Sequence, residues 1–311
     1  KSISSLVIDP SNPSVSYAGT RAGGMYPGSG VFKSTNSGSN WLSVGVGMPA
    51  DSSVRALLLN PLLPLQVYAA LEFDGLYKTE NGGASWFHVN ANLDEGYVEC
   101  LASAPSDVQR VFIGSQFGLL KGSFSSSELE LIGVYPVSIS SVAVDPRNCN
   151  QAYAIGRGLF KTTDFGESWK LINKGVWGGE AIALDLLNPN VLYAGDYSPF
   201  GAVYKSTNGG LQWSATSLTN VAINDIEVDP ITPRIVYAGG LMDPHVGGMF
   251  RTTNGGTAWD TLRNGLGNAY ITAIATNPVK PSTLYVGTMN SGVLKSTNGG
   301  TSWFQVNQGL P

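Results

Sequence analysis

The sequence predicts an all-β chain folded as a single seven-bladed β-propeller of four-stranded antiparallel blades. Three observations carry this. The phrase GVLKSTNGGTSW, Gly292 to Trp303, recurs as GVFKSTNSGSNW, GLYKTENGGASW, GLFKTTDFGESW, AVYKSTNGGLQW and GMFRTTNGGTAW, with its tryptophan at positions 41, 86, 169, 213, 259 and 303. The spacing is about 44 residues except for one gap of about twice that size, where a worn copy, GLLKGSFSSSEL, runs from Gly118 to Leu129. Each repeat holds two further apolar phrases of strand type, and four strands repeated at this period mark propeller blades.

Each unit opens on an alternating strand, in most copies closed by Asp-Pro or Asn-Pro: SLVIDP ends at Pro10, ALLLNP at Pro61, SVAVDP at Pro146, DIEVDP at Pro230 and AIATNP at Pro278. CLASAP and IALDLL occupy that place in units three and five. Proline ends the strand because it has no N–H for the ladder. A second strand follows, with an aromatic at Tyr17, Tyr68, Phe112, Tyr153, Tyr193, Tyr237 and Tyr285, expected in the core. Small residues after it let the strands crowd toward a central axis. The long phrase supplies strands three and four as a hairpin. Its Asn or Asp accepts from turn N–H groups and its Gly supplies positive φ. Its Trp is large enough to seal the space between units, with the indole N–H free to find a carbonyl.

The expected blades run over 1–50, 51–95, 96–136, 137–177, 178–219, 220–266 and 267–311, as one domain over 1–311. The first begins on a first strand and the last ends after a fourth. Ring closure is therefore expected from face-to-face packing of units seven and one, with no strand exchanged. A cation recurs in every third strand, at Lys33, Lys78, Lys121, Lys161, Lys205, Arg251 and Lys295. The preferred reading lays each aliphatic stem along the next blade with the head on water or a carbonyl; the other reading is a basic ring for an anionic partner.

Hydrophobic residues make up 42% of the chain and charged ones only 13%, so Ser, Thr, Asn and Gly do the solvating. That balance points to an extracellular or periplasmic location. A net charge of -4 argues against nucleic acid, which needs a clustered basic surface. No membrane span is expected, since the richest apolar run, Ala56 to Leu71, is broken by Pro61 and Pro64. The sequence opens at Lys1 without a signal sequence, which fits a removed leader or a numbering that starts inside a longer chain. Cys100 and Cys149 fall at places expected to differ in height, so no disulfide framework is expected. His88 and His245 match no metal-ligand spacing; no metal or cofactor is expected, and the chain is expected to be a monomer.

The long phrase closely resembles the Asp-box, or BNR repeat, S-x-D-x-G-x-x-W, of sialidases, xyloglucanases, sortilin-type receptors and photosystem assembly factors. The resemblance implies that the box lies in the turn between strands three and four, away from the active face. Thr20 to Tyr26 reads TRAGGMY, similar to the Thr-Asp-Ile-Gly-Gly-Ala-Tyr phrase of xyloglucanases, with Arg21 where that phrase carries a catalytic Asp. Those enzymes use two propellers. Sialidases hold the substrate carboxylate with three arginines, for which Arg21, Arg55 and Arg157 are available, but their Arg-Ile-Pro phrase is missing. Photosystem assembly factors are single seven-unit propellers of similar length.

Ligand chemistry is expected on the face opposite the box turns, in loops joining strands two and three and loops joining units. The expected ligand-binding residues are Arg21, Tyr26, Tyr97, Arg157, Trp177, Tyr197 and His245. Such aromatic and polar side chains suit a sugar or a protein partner. A glycosidase needs two carboxyl groups at a defined separation; the acids available on this face are Glu72, Asp74, Asp94, Glu95, Glu180, Asp196 and Asp243, of which Glu72, Asp74, Asp196 and Asp243 are the preferred candidates. The leading expectation is a non-catalytic binding or scaffold propeller, exported, that recognises a glycan or protein partner on this face. The alternative is a glycoside hydrolase, xyloglucanase-like or sialidase-like.

Overall fold

The computed structural model describes residues 2–22, 28–89, 98–104, 107–123, 129–134, 136–172, 176, 178–198, 200–242 and 246–311. Within them the chain forms seven four-stranded antiparallel sheets, each from four consecutive strands in sequence order, and no helix. These are blades one to seven. The worn unit forms a full blade, with Gly118–Ser123 and Glu130–Ile132 as its third and fourth strands.

The first strands, Ile3–Ile8, Val54–Leu59, Val98–Ala104, Ile139–Val144, Ala181–Leu184, Val221–Val228 and Ile271–Thr276, pack in succession around the axis, the last against the first. The core is divided into seven apolar layers, each between two adjacent blades. All seven second-strand aromatics are buried in or beside these layers, and burying such a side chain contributes about 2–3 kcal/mol. The small residues after them have a defined use: a Cβ on Gly287 would lie 2.7 Å from Ile3 Cγ2, so glycine here admits the neighbouring blade's first strand.

Every intact long phrase folds into one turn. In blade seven, Ser296 Oγ accepts from Gly300 N (2.9 Å) and donates to Asn298 Oδ1 (2.9 Å), which in turn accepts from Ser302 N (3.0 Å). The same pattern holds at Ser34 with Asn36, Thr79 with Asn81, Thr162 with Asp164, Ser206 with Asn208 and Thr252 with Asn254. Ser37 and Phe165 replace the first turn glycine in two copies and still hold positive φ, 57° and 55°.

The recurring cation serves the same turn in the following blade. Lys33 donates to Gly82 O (2.9 Å), Lys161 to Gly209 O (3.1 Å), Lys205 to Gly255 O (2.8 Å), Arg251 to Gly299 O (2.8 Å) and Lys295 to Ser37 O (2.9 Å). Each of the four lysines also lies over the second-strand tyrosine of its own blade. Among the described residues Lys78 also pairs with Glu80, and Lys121 with Glu130 and Glu167. The tryptophans vary more than expected. Trp41 and Trp86 donate to Val306 O and Val44 O of the preceding blade, and Trp259 to Thr216 Oγ1. Trp213 turns back to Gly210 O, and among the described residues Trp169 and Trp303 find no acceptor for the indole N–H. Cys100 and Cys149 are both free.

Candidate functional site

The first strands carry a shared irregularity that builds the mouth of the ring. In six blades the pairing of strands one and two slips by one residue at the same height: at Ser4, Arg55, Glu99, Ser140, Asn224 and Thr272. An extra residue of this kind leaves the ladder and bends the strand, which re-aims its side chain. All six residues line one axial cleft of about 360 Å³, together with Glu180 from blade five. Glu180 reaches that level by another route, on a unit-joining loop whose Gly179 N donates to Gly156 O (2.9 Å) and whose Glu180 N donates to Gly195 O (3.1 Å).

A wider cleft of about 650 Å³ adjoins the mouth over blades three to five, lined by Gln116, Arg157, Asp196 and Tyr197 among others. The two meet at Ser140, Glu180 and Tyr197. Asp196 anchors its loop: its carboxylate accepts from Ser198 N (2.8 Å) and its carbonyl from Ile223 N (2.9 Å). Around the face, the strand two to three loops present Phe73, Phe117, Tyr197 and Phe200 as exposed aromatics.

Electrostatics divides the carboxylates into two groups. Glu72 is tied down by Arg55 Nη2 (2.6 Å), Ser53 Oγ (2.7 Å) and Arg21 Nη2 (3.5 Å). The other arm of Arg55, Nη1, lies 3.3 Å from Glu99 Oε2. Glu180, by contrast, has its pKa raised, first by desolvation between the cleft walls and then by the nearby Glu99 charge; Ser140 and Arg55 oppose the shift. Tyr197 Oη meets Tyr270 Oη at 3.0 Å, Tyr270 donates to Asn224 Oδ1 (3.2 Å), and Asn224 Nδ2 donates to Ile271 O (2.7 Å).

Of the residues expected at a site, the fold brings together Arg21, Glu72 and Tyr197 at the mouth, and Arg157, Asp196 and Tyr197 in the wider cleft. Asp74 is half-buried in the loop after Leu71 and is not among the described lining residues of either cleft. Tyr26, Tyr97, Trp177, Asp243 and His245 lie outside the described residues. Sequence reading missed Glu99, Ser140, Asn224 and Thr272. Their signal is a polar residue directly after a β-branched one at the same offset in every first strand but that of blade five, as in Val98-Glu99, Ile139-Ser140, Ile223-Asn224 and Ile271-Thr272. Among the described residues no group of three or more His, Cys, Asp or Glu is placed to hold a metal, and no helix is long and apolar enough to cross a membrane.

No protein-family model matches the chain. A xyloglucanase of Hypocrea jecorina (strain QM6a) is 25% identical over 193 residues, covering 57% of this chain and 19% of that enzyme. The GH74 xyloglucanase from Xanthomonas campestris superposes with a TM-score of 0.79 at 17% identity, over 99% of this chain and 55% of its own. YCF48 bound to D1 peptide superposes with a TM-score of 0.69 at 12% identity, over 96% of this chain and 93% of its own. The chain is a seven-bladed β-propeller. It resembles the GH74 xyloglucanase and YCF48 propellers, and it spans about half the length of the bacterial xyloglucanase and matches about a fifth of the fungal one.

Proposed function

We propose that this propeller is a non-catalytic glycan-binding protein that seats a saccharide across the wider cleft with one end in the axial mouth. The observation that carries the reading is the position of Tyr197, 45% exposed at the junction of the two clefts. A ring there can stack on the C–H face of a sugar while Gln116, Ser140, Glu180 and Asp196 take its hydroxyls. The likeness to xyloglucanases supports a saccharide ligand, and the capture of Glu72 supports binding without turnover, because its carboxylate oxygens are already engaged by Arg55, Arg21 and Ser53. We also read the recurring turn as an Asp-box, and the protein as a monomer working outside the cytoplasm.

One observation favours a second reading, a glycoside hydrolase. Glu180, with its raised pKa, has the character of a general acid, and Asp196 lines the same cleft. Calorimetric titration with neutral and charged oligosaccharides, run beside hydrolysis assays on xyloglucan, separates the two. Binding that falls at least tenfold in Tyr197→Ala, with no turnover, is the expected result. Turnover abolished by Glu180→Gln would replace it with the hydrolase.

A further inference from the structure

We propose that the cleft selects glycans carrying free amino groups over N-acetylated or acidic ones. The inference rests on the glycan reading and deepens it. Its basis is the direction of the hydrogen bonds at the junction. Asn224 faces the carbonyl oxygen of Ile271 at 2.7 Å, and only its amide nitrogen can bond there, so its oxygen is turned to Tyr270. Tyr270 must donate its proton to that oxygen. Burial pushes the Tyr270 pKa up to about 12, so the proton is present across the physiological range. With that proton committed, the contact between the two phenols has one polarity left: Tyr197 donates and Tyr270 accepts. Tyr197 therefore shows the cleft lone pairs and the face of its ring, and no donor.

Two acidic neighbours share that polarity, beside Gln116, Ser138, Ser140 and Ser198, which can donate or accept. Glu180 and Asp196 are acceptors when ionised, while Arg157 is the one basic side chain among the described lining residues of the wider cleft. In the mouth, Arg55 has both terminal nitrogens on Glu72 and Glu99, and the charge of Arg21 is shared with Glu72 at 3.5 Å, so the two cations there face two acids before any ligand arrives. The lone pairs of Tyr197, the carboxyl groups of Asp196 and Glu180 and an aromatic face favour a ligand rich in donors and positively charged, since a cation beside Glu180 offsets the desolvation that raises its pKa and favours its ionised form. A 2-amino-2-deoxy sugar meets this; its acetylated form loses the charge, and a uronic acid meets repulsion.

The test is titration calorimetry at neutral pH with oligomers of glucosamine, N-acetylglucosamine and galacturonic acid. Glucosamine oligomers are expected to bind at least tenfold more tightly than either of the others. Glu180→Gln should weaken glucosamine oligomers about tenfold more than it weakens N-acetylglucosamine oligomers, so that the ratio of the two falls. Tyr270→Phe frees the Tyr197 hydroxyl to donate and should shrink the preference several-fold, a change of ratio that a merely structural role would not produce. Equal binding of the acetylated oligomers, or tighter binding of galacturonate through Arg157, overturns this selectivity and leaves the glycan reading standing. Binding of none of the three, nor of any neutral oligosaccharide, sinks both.

Discussion

Lys205 carries its charge to the carbonyl oxygen of Gly255 in the next blade, 2.8 Å away, with its ammonium 5.3 Å from the centroid of Tyr193. Burial lowers the pKa of this ammonium, so desolvation takes back part of what a charged hydrogen bond gives. The same holds at Lys33 and Lys161. Lys205→Met keeps the stem and loses the bond, and is expected to cost about 1 kcal/mol in a urea melt. Lys205→Arg should recover most of it, because Arg251 makes the equivalent contact to Gly299 O at 2.8 Å. An unchanged midpoint in Lys205→Met would detach the cation ring from stability and return it to the anionic-partner reading.

The first strand of blade six, Val221–Val228, places two acids, Asp225 and Glu227, on one side of a strand that packs between its neighbours around the axis. Asp225 bridges to blade seven by accepting from Ile274 N (2.7 Å). Burial pushes its pKa up to about 7; burial first, and then the charges of Asp225 and Asp229, push Glu227 to about 8. In the unfolded chain both titrate near pH 4. Between about pH 4 and 8 the unfolded state therefore binds fewer protons than the folded one, and stability falls as pH rises. Below that window both states are protonated and the loss disappears. Glu227→Gln should be more stable than the wild type by about 2–4 kcal/mol at pH 8.5 and indistinguishable from it at pH 4. Parallel melting curves across that range would show that Glu227 keeps an ordinary pKa.

These strands also show how far the sequence could be read. Tyr17, Trp41 and Ser34-Thr35-Asn36 repeat at a fixed period because each solves the same packing or turn problem in every blade, so repetition exposes them. The mouth repeats only a polar residue after a β-branched one, with no fixed residue type. Ser4, Arg55, Glu99, Ser140, Asn224 and Thr272 share a place but range over hydroxyl, cation, acid and amide, and a one-residue slip hides them from a period-two pattern. Tyr197, Asp196 and Arg157 were legible as loop residues on the face that carries the wider cleft. The capture of Glu72 was not, because it depends on Arg55 arriving from a bulge rather than from a loop.

At the scale of the molecule the junction between blades seven and one stands apart, since no peptide bond runs between adjoining strands there. Other junctions have the chain itself as a tether. Closure rests on Trp41, whose backbone N–H reaches Gln308 O and whose indole reaches Val306 O, both at 2.8 Å, and on Tyr285 and Lys295, which reach Ser37 O at 3.0 and 2.9 Å. Leu310 is buried in the same layer as Trp41 and Ile3. The backbone part of this contact recurs at tethered junctions: Trp86 N donates to Val46 O and Trp303 N to Asn264 O. A glycine follows each acceptor. A Cβ on Gly309 would lie 2.0 Å from Trp41 O at a φ of 87°, and a Cβ on Gly265 would lie 2.0 Å from Trp303 O at a φ of 84°. Gly309→Ala and Gly265→Ala thus impose one clash at an untethered and a tethered junction, each expected to cost about 2–3 kcal/mol. If closure is the weak point, hydrogen exchange in Gly309→Ala should rise first in blades one and seven, ahead of global unfolding, whereas in Gly265→Ala protection should fall evenly around the ring. Removing 305–311 should deepen the first pattern and lower Tm sharply. Matching exchange profiles for the two glycine variants would mean that the ring unfolds as one unit, with no seam at its closure.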